Sequence, residues 1–288
     1  MSSTQAPSPV LFFETINGYQ KSAALKAAIE LDLFTAIGDS PAGVEELAAR
    51  CGAATRGIRI LCDYLTILGF LVKSGNQYEL TLDSATFLSR KSPAYAGGAA
   101  SFLLSPELTS SFDDLASAVR KGGTASTELG TIAPEHPVWI RFAKGMGALM
   151  FPAAQALADL LPLDGARDVK VLDISASHGQ WGIALARRSP RAHLVALDWA
   201  PVLEVARENA EASGLRDRFS TIAGDAFEVN LGADYDVILV PNFLHHFSMG
   251  DCVRFLRKVH AALRPGGRVA IVEFVPNPDR ITPPAAAA

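Results

Sequence analysis

Short apolar runs alternate with helical stretches along the second half of the chain. A run over 169–174 indicates a buried strand, and a second run, reached through a small-residue turn and a helical segment, ends on Asp198. Three further runs begin at Phe219, Tyr235 and Gly267. This alternation predicts an α/β fold with a Rossmann-like, doubly wound parallel sheet. In such a sheet we expect a ligand at the carboxyl ends of the strands.

The first third of the chain is dominated by helical patterns. Residues 10–37 are rich in alanine and leucine and are interrupted near Gly18, and residues 40–81 predict two short helices followed by a hairpin around 74–76. Two helices and a hairpin are typical of a winged helix. We therefore predict an otherwise all-helical winged-helix domain ahead of the sheet.

A helical stretch over 136–161 places Trp139, Phe142, Met146 and Met150 on or near one side. Most such stripes belong to a hydrophobic core. Flexible Met and aromatic side chains between two domains also suit the lining of a site for a flat organic substrate. Both interpretations stay open, and we name the four residues as candidate substrate-lining positions.

The turn over 175–179 carries the first chemical signal. With its flanking residues the turn reads DISASHGQWG, and Gly179 is the one glycine within the turn itself. The turn therefore lacks the G-x-G-x-x-G pattern of dinucleotide sites. Asp198 follows 19 residues after Gly179, where such folds hydrogen-bond a ribose. The pattern predicts a pocket for a nucleoside cofactor. Ser175 and Ser177 tolerate positive φ poorly, so we expect them to be extended or mildly strained.

Composition narrows the class of protein. The chain has 288 residues, 49% hydrophobic and 19% charged, which is typical of a folded chain long enough for two domains. A net charge of −4 gives no electrostatic basis for binding nucleic acid or an anionic membrane, and Asp63 accompanies Arg56 and Arg59 on the predicted second helix. Dispersed cysteines, no signal-peptide pattern and no long apolar run predict a cytoplasmic protein without a membrane span.

Five segments, in this order, resemble the small-molecule O-methyltransferases of bacterial and plant secondary metabolism: the turn after Asp173, LDWAPV, AGDAF, NFLHHF and LRPGGRVAIVE. The turn resembles the D-x-G-x-G-x-G turn of class I S-adenosylmethionine-dependent methyltransferases, with Ser175 and Ser177 in place of two glycines. The resemblance extends over 11–278. It implies S-adenosyl-L-methionine as cofactor, a small aromatic or polyketide-like acceptor and a homodimer, with no nucleic-acid or membrane partner.

The same resemblance implies three regions of the chain. A winged-helix dimerisation domain occupies 10–90, a helical linker and substrate-lining region 91–162, and the methyltransferase domain 163–288. The chain stops soon after its fifth strand, whereas this family continues with further structure that closes the acceptor pocket. We therefore expect the fifth strand to be an exposed edge, the cofactor site to be largely present and turnover to be low.

The resemblance also implies roles for single residues. His245 matches the family's general base, and Glu273 resembles the acid that orients it. Asp198 is expected to bind the ribose hydroxyls and Trp199 to pack on the adenine. The implied cofactor-binding residues are Ser175, Ser177, Gly179, Asp198, Trp199, Asp225, Ala226, Phe227 and Asn242. The contribution of His246, where the family usually has an acid, stays open.

The expected chemistry needs few groups. A sulfonium carries a good leaving group, so the enzyme must align the acceptor and remove a hydroxyl proton, which a neutral imidazole can accept from a phenol of pKa about 10. No carboxylate stands between the fourth strand and the next helix, so we expect no metal. Two alternatives stay open: transfer to carbon or nitrogen by the same fold, and a non-catalytic regulator or partner subunit that uses the winged helix.

Overall fold

The computed structural model describes residues 6–123, 136–163 and 165–287. The chain divides into two compact units, Met1–Thr109 and Ser110–Ala288. The predicted domain limits after residues 90 and 162 remain predictions. Part of the predicted linker region, residues 124–135, lies outside the described residues, as do residues 164 and 288 of the predicted methyltransferase domain.

The first unit combines short helices with a small antiparallel sheet. The strands follow the order β1-β3-β2, in which β2 and β3 form the predicted hairpin. The strand β1 was not predicted, because two residues carry no readable periodicity. The elements are α1 (Val10–Ile16), α2 (Gly18–Glu30), α3 (Leu33–Ile37), β1 (Ala42–Gly43), α4 (Val44–Arg50), α5 (Thr55–Ile67), β2 (Leu71–Ser74), β3 (Gln77–Leu80), α6 (Leu82–Phe87), α7 (Ala100–Leu103) and α8 (Pro106–Thr109).

Asp63 ties α5 to the hairpin. Its carboxylate accepts the Tyr78 hydroxyl at 2.6 Å, pairs with Lys73 and lies 3.1 Å from the Arg59 guanidinium. Tyr78 is fully buried and packs in the core of the unit with the apolar face of α5. The basic groups beside the hairpin are therefore already paired inside the unit.

Helix α1 is apolar and exposed. None of its residues is buried, and Leu11, Phe12 and Phe13 leave 77%, 60% and 56% of their surface accessible. The two phenyl rings contact each other edge to face, 5.3 Å apart. An exposed apolar patch of this kind is typical of a surface that binds another protein.

The second unit contains the predicted parallel sheet. Its five strands follow the order β6-β5-β4-β7-β8 and all pair in parallel. Strands β4, β5 and β7 are almost continuously buried, as expected for a sheet covered on both faces. The elements are α9 (Leu115–Lys121), α10 (Val138–Leu160), β4 (Val169–Ile174), α11 (Gln180–Ala186), β5 (Ala192–Asp198), α12 (Ala200–Ala212), β6 (Phe219–Ala223), β7 (Tyr235–Pro241), α13 (Met249–Ala262), β8 (Leu263–Val272) and α14 (Pro284–Ala287).

The strand order brings the predicted site residues together at the carboxyl ends of the strands. Because the strands are parallel, the turn after β4, Asp198 at the end of β5 and the loops after β6 and β7 all meet there. Glu273 follows directly after β8, one residue beyond the strand. Among the described strands, β8 is at the edge of the sheet, and its Val269 and Ile271 are 40% and 42% exposed.

Candidate active site

The turn after β4 is strained. Ser175 and Ser177 have φ of 55° and 53°, in the left-handed region that non-glycine residues enter at a cost of about 1 kcal/mol or more. Of the two expected conformations, the strained one is therefore present. Backbone hydrogen bonds hold it: Ala176 N–H donates to Leu197 at 3.0 Å, and Gly179 N–H donates to Ala176 at 2.7 Å.

Glycine is required at position 179 for two reasons. Its φ is 74°, and a Cβ at this position would lie 3.2 Å from Ile183 and 3.3 Å from Ala206. The turn can therefore pass between α11 and α12 only without a side chain. Gly179 also directly precedes α11, and side chains accept two of the first N–H groups of that helix: His178 accepts from Gln180 and Asp173 from Gly182.

Asp198 connects the end of β5 to the turn. Its Oδ2 accepts the Ser177 N–H at 2.8 Å and its Oδ1 accepts the Trp199 N–H at 2.7 Å. Burial raises the pKa of Asp198 to about 6, against the lowering effect of the two N–H donors. A carboxylate offers about four lone-pair positions, so two remain for further donors such as a pair of ribose hydroxyls.

The polar atoms around the turn fit the cofactor that the resemblance implies. Asp173 Oδ1 and Ser177 Oγ are shielded from solvent and have no hydrogen-bond partner among the described residues. Unpaired buried polar atoms are rare and call for an explanation. Together with Asp198, they give the pocket the oxygens that a ribose and the ammonium of an amino acid need. S-adenosylmethionine has both groups.

The loop after β6 is fixed by side chains from its own unit. Asp225 Oδ1 accepts the Phe227 N–H at 2.8 Å, and Lys258 of α13 donates to the carbonyls of Ala226 and Phe227 at 3.0 and 2.7 Å. Ala226 is buried, and the Phe227 ring packs 5.2 Å from that of Phe255. Phe227 thus belongs to the core beneath the loop, while contact of this loop with adenine remains a prediction.

Glu273 holds both His245 and the loop that carries it. One carboxylate oxygen, Oε2, lies 2.7 Å from His245 Nδ1. The other, Oε1, accepts the N–H groups of Phe243 and Leu244 at 2.9 and 2.7 Å. Because a carboxylate only accepts, Nδ1 carries the proton and Nε2 keeps its lone pair. The side chain of His245 is half exposed, so that lone pair can meet a reactant.

Two residues of the stripe on α10 face histidines of the site. Trp139 contacts the His246 ring edge to face, 5.6 Å between centroids and 82° between planes. Phe142 stacks on the buried His178 ring at 6.3 Å and 16°. Trp139 and Phe142 also contact each other at 5.8 Å.

The other two stripe residues differ. Met150 packs partly against the core of the unit, and its sulfur lies 4.0 Å from Asn242 Nδ2 in the loop after β7. Met146 lies one turn before Met150 on the same helix and is partly buried. The stripe is therefore core in part and open to the site in part. Asn242, whose φ is 51°, lies beside a predicted substrate-lining residue.

Two buried residues of the site were not predicted. Asp173 lies near the end of β4, two residues before the turn, and accepts the Gly182 N–H at 2.8 Å. Burial raises the pKa of Asp173 to about 8. His178 is 1% exposed, its Nδ1 accepts the Gln180 N–H at 3.1 Å, and burial lowers its pKa to about 4. Asp173 flanks the turn and His178 lies inside it. An ionisable residue in or beside a turn of small residues was the sequence signal that could have identified both.

The described residues contain no group of three or more His, Cys, Asp or Glu side chains placed to hold a metal ion. Nor does any helix in the part of the chain that the structure describes have the length and apolar character needed to cross a membrane. The expectation that catalysis needs no metal stays a prediction.

Comparison with known proteins identifies relatives over most of the chain. Residues 13–90 match the profile of the O-methyltransferase dimerisation domain, and residues 171–267 match that of a methyltransferase domain. The chain is 28% identical over 289 aligned residues to 3-hydroxy-5-methyl-1-naphthoate 3-O-methyltransferase of Streptomyces sahachiroi. That alignment covers 96% of the chain and 80% of the relative.

Solved structures give the same result. A Nostoc punctiforme protein crystallised as a candidate O-methyltransferase superposes with a TM-score of 0.92 at 53% identity, covering 99% of the chain and 85% of that protein. Human N-acetylserotonin methyltransferase, crystallised with S-adenosylmethionine, shares the fold with a TM-score of 0.80 at 21% identity, covering 98% and 84%.

Proposed function

We propose that this chain, which belongs to the S-adenosylmethionine-dependent O-methyltransferases that carry an N-terminal dimerisation domain, uses His245 as the general base that removes the acceptor's hydroxyl proton. The observation that carries the proposal is the 2.7 Å contact between His245 Nδ1 and Glu273 Oε2. It fixes the tautomer in which Nε2 is a free base, as in a hydrolase triad.

Glu273 acts as a positioning residue. It orients the His245 ring through one oxygen and the backbone at Phe243 and Leu244 through the other, so ring and loop cannot move independently. The carboxylate also stabilises the imidazolium that forms when Nε2 accepts a proton. Its own side chain is 13% exposed, which keeps competing water away.

The proposed cofactor site consists of Asp198, the turn over 175–179 and the loop after β6. When bound, S-adenosylmethionine supplies a methyl group activated by a positively charged sulfur. Asp198 accepts the ribose hydroxyls with its two remaining lone-pair positions, and Trp199, which directly precedes α12, covers the base. The unpaired oxygens of Asp173 and Ser177 favour the cationic end of the cofactor.

The acceptor is proposed to be a small aromatic or polyketide-like molecule with a free hydroxyl. The Streptomyces sahachiroi relative is named for transfer to the 3-hydroxyl of a naphthoate. In this chain, Trp139, Phe142 and Met150 supply aromatic and thioether surface beside the loop of His245 and His246. Such a lining suits a flat ring and leaves orientation to a few polar groups.

We further propose that the protein is a homodimer formed through its N-terminal unit. The matched profile is that of a dimerisation domain, and α1 lies at its start with Phe12, Phe13 and Ile16 all more than half exposed. Because the match is to a dimerisation domain, we expect a second copy of the chain to cover the exposed apolar face of α1.

Calorimetric titration with S-adenosylhomocysteine, followed by a screen of phenols with labelled S-adenosylmethionine, tests the function. We expect binding of the nucleoside and label transfer to the oxygen of at least one phenol. Label found on carbon or nitrogen would support the alternative reaction. A chain that binds the nucleoside and methylates none of a broad phenol panel would contradict the proposal.

A further inference from the structure

We propose that His246 is a second acceptor-recognition group, which selects aromatic acceptors carrying a neutral oxygen on the carbon next to the hydroxyl that is methylated. The inference rests on the proposed function, since it places the acceptor beside His245. It adds a substrate class, that of ortho-oxygenated phenols, and a residue that distinguishes this class from phenols oxygenated elsewhere on the ring.

The first observation is where the His246 ring lies. His246 ends the short helical turn Leu244–His246, and its ring centroid is 4.0 Å from that of His245, with 42° between the ring planes. On its other side, Trp139 contacts it edge to face. The ring is thus held between the proposed base and an aromatic residue of the stripe on α10.

The second observation is that its polar atoms are unused. The backbone N–H of His246 donates to Phe243 at 3.3 Å, but within the described residues its ring nitrogens have no hydrogen-bond partner. Neither ring nitrogen is among the fully enclosed unpaired atoms, so both can be reached from outside the protein. A half-buried imidazole that serves only in packing usually forms a hydrogen bond to a protein group through at least one of its nitrogens.

The third observation concerns charge. Burial, with the neighbouring His245 as a second cause, lowers the pKa of His246 to about 4. The ring is therefore neutral at physiological pH and offers one N–H donor and one lone pair. A neutral donor and acceptor suits a hydroxyl or carbonyl oxygen and gives no charge attraction for a carboxylate or phosphate.

The pairing of the two rings sets the spacing of the two oxygens. His245 has committed Nδ1 to Glu273, so its Nε2 is left for the hydroxyl that loses its proton. The centroid of the adjacent ring lies 4.0 Å away. From this short separation we infer that oxygens on neighbouring carbons of an aromatic ring meet both histidines together, and that oxygens on opposite carbons lie too far apart to do so.

Catechol and hydroquinone make a matched pair of probes, because each has two hydroxyls and they differ only in adjacency. Their dissociation constants are to be measured by calorimetry with the full chain saturated with S-adenosylhomocysteine. We expect the parent to bind catechol about tenfold more tightly, the effect of one net hydrogen bond. His246→Phe keeps a ring against Trp139 but loses both nitrogens, and should bring catechol to within about twofold of hydroquinone.

Two more variants make the result specific. His246→Asn, which retains a short hydrogen-bonding side chain, should keep part of the preference, and serves also if the Phe variant fails to fold. His260→Asn, at an exposed position on α13, should keep all of it. A parent without preference for catechol, or an unchanged preference in both His246 variants, overturns the inference. Separately, a catechol preference that depends on His246, in a protein that methylates none of the phenols in the panel, would contradict the proposed function and leave the recognition group standing.

Discussion

The carboxylate of Asp198 accepts the backbone N–H of Ser177 across 2.8 Å, so the end of one strand holds the turn that follows its neighbour. Ser177 is in a left-handed conformation that the residue does not favour by itself. The proposed ribose ligand is therefore also what maintains the shape of the pocket.

Asp198→Ala should weaken S-adenosylhomocysteine binding by at least tenfold. The change removes an acceptor for ribose hydroxyls, whose charge-assisted bonds contribute about 1.5–3 kcal/mol each, and it releases the turn. Calorimetry on parent and variant measures the effect. Asp217→Ala, an exposed carboxylate elsewhere in the unit, is the control. Equal affinities for Asp198→Ala and parent would remove Asp198 from the site.

His245→Ala should lower turnover by roughly 10²–10⁴ while S-adenosylhomocysteine affinity stays close to that of the parent. The variant loses the proton acceptor but leaves the turn, Asp198 and the loop after β6 unchanged. Turnover with a phenol and calorimetry are measured together. If His246→Ala were the crippling change and His245→Ala mild, the base would have been placed on the wrong histidine.

Glu273→Gln should reduce turnover less than loss of the base, with KM little changed. The amide oxygen can still accept from the backbone of the loop, but an uncharged group no longer stabilises the imidazolium. The loss should therefore appear in kcat, which turnover measurements with a phenol at saturating S-adenosylmethionine determine. A kcat that matches the parent would assign Glu273 to loop structure alone.

Asp173→Asn should stabilise the ligand-free protein increasingly as pH rises. Burial raises the folded-state pKa of Asp173 to about 8, whereas the unfolded chain releases this proton near pH 4. Between those values the folded chain binds more protons than the unfolded one, so stability falls as pH rises. The difference in Tm between variant and parent should grow from pH 5 to pH 9. With Asp217→Asn as control, a difference that does not change with pH would contradict the assignment.

Phe12→Asp combined with Phe13→Asp should convert the protein to a monomer. Charges on this exposed apolar face would be buried without partners in the proposed interface. Light scattering at micromolar concentration compares the variant with Ile67→Asp, which changes a more exposed apolar residue on α5. A parent that is already monomeric would refute the proposed dimer.

Much of the fold was readable from the sequence because its signals are local. The strands from β4 to β8 are apolar runs with turns between them, and the parallel sheet and the family are confirmed by the fold and the relatives. The hairpin was readable for the same reason. The strand β1 was not, because it exists only through its pairing with β3.

Less of the site could be predicted, because it depends on hydrogen bonds and ring contacts between residues that are far apart in the sequence. The family resemblance implied that Glu273 orients His245, but not that its second oxygen holds the backbone at 243 and 244. Nor could they reveal that Phe142 stacks on His178 or that Trp139 meets His246, because α10 is packed by tertiary contacts. The individual roles in binding and catalysis remain predictions.

The place of Glu273 directly after β8 has a consequence for when the protein becomes active during its synthesis. The turn, Asp198 and His245 all leave the ribosome before the strand that brings Glu273 into position. Strand β8 pairs with β7 in a register that joins Val272 to Pro241, and a slip of one residue would turn Glu273 to the opposite face of the sheet. A nascent chain can therefore assemble the proposed nucleoside pocket while the proposed base is still unoriented, and the proposed pair of His245 and Glu273 forms only when the edge strand pairs in register.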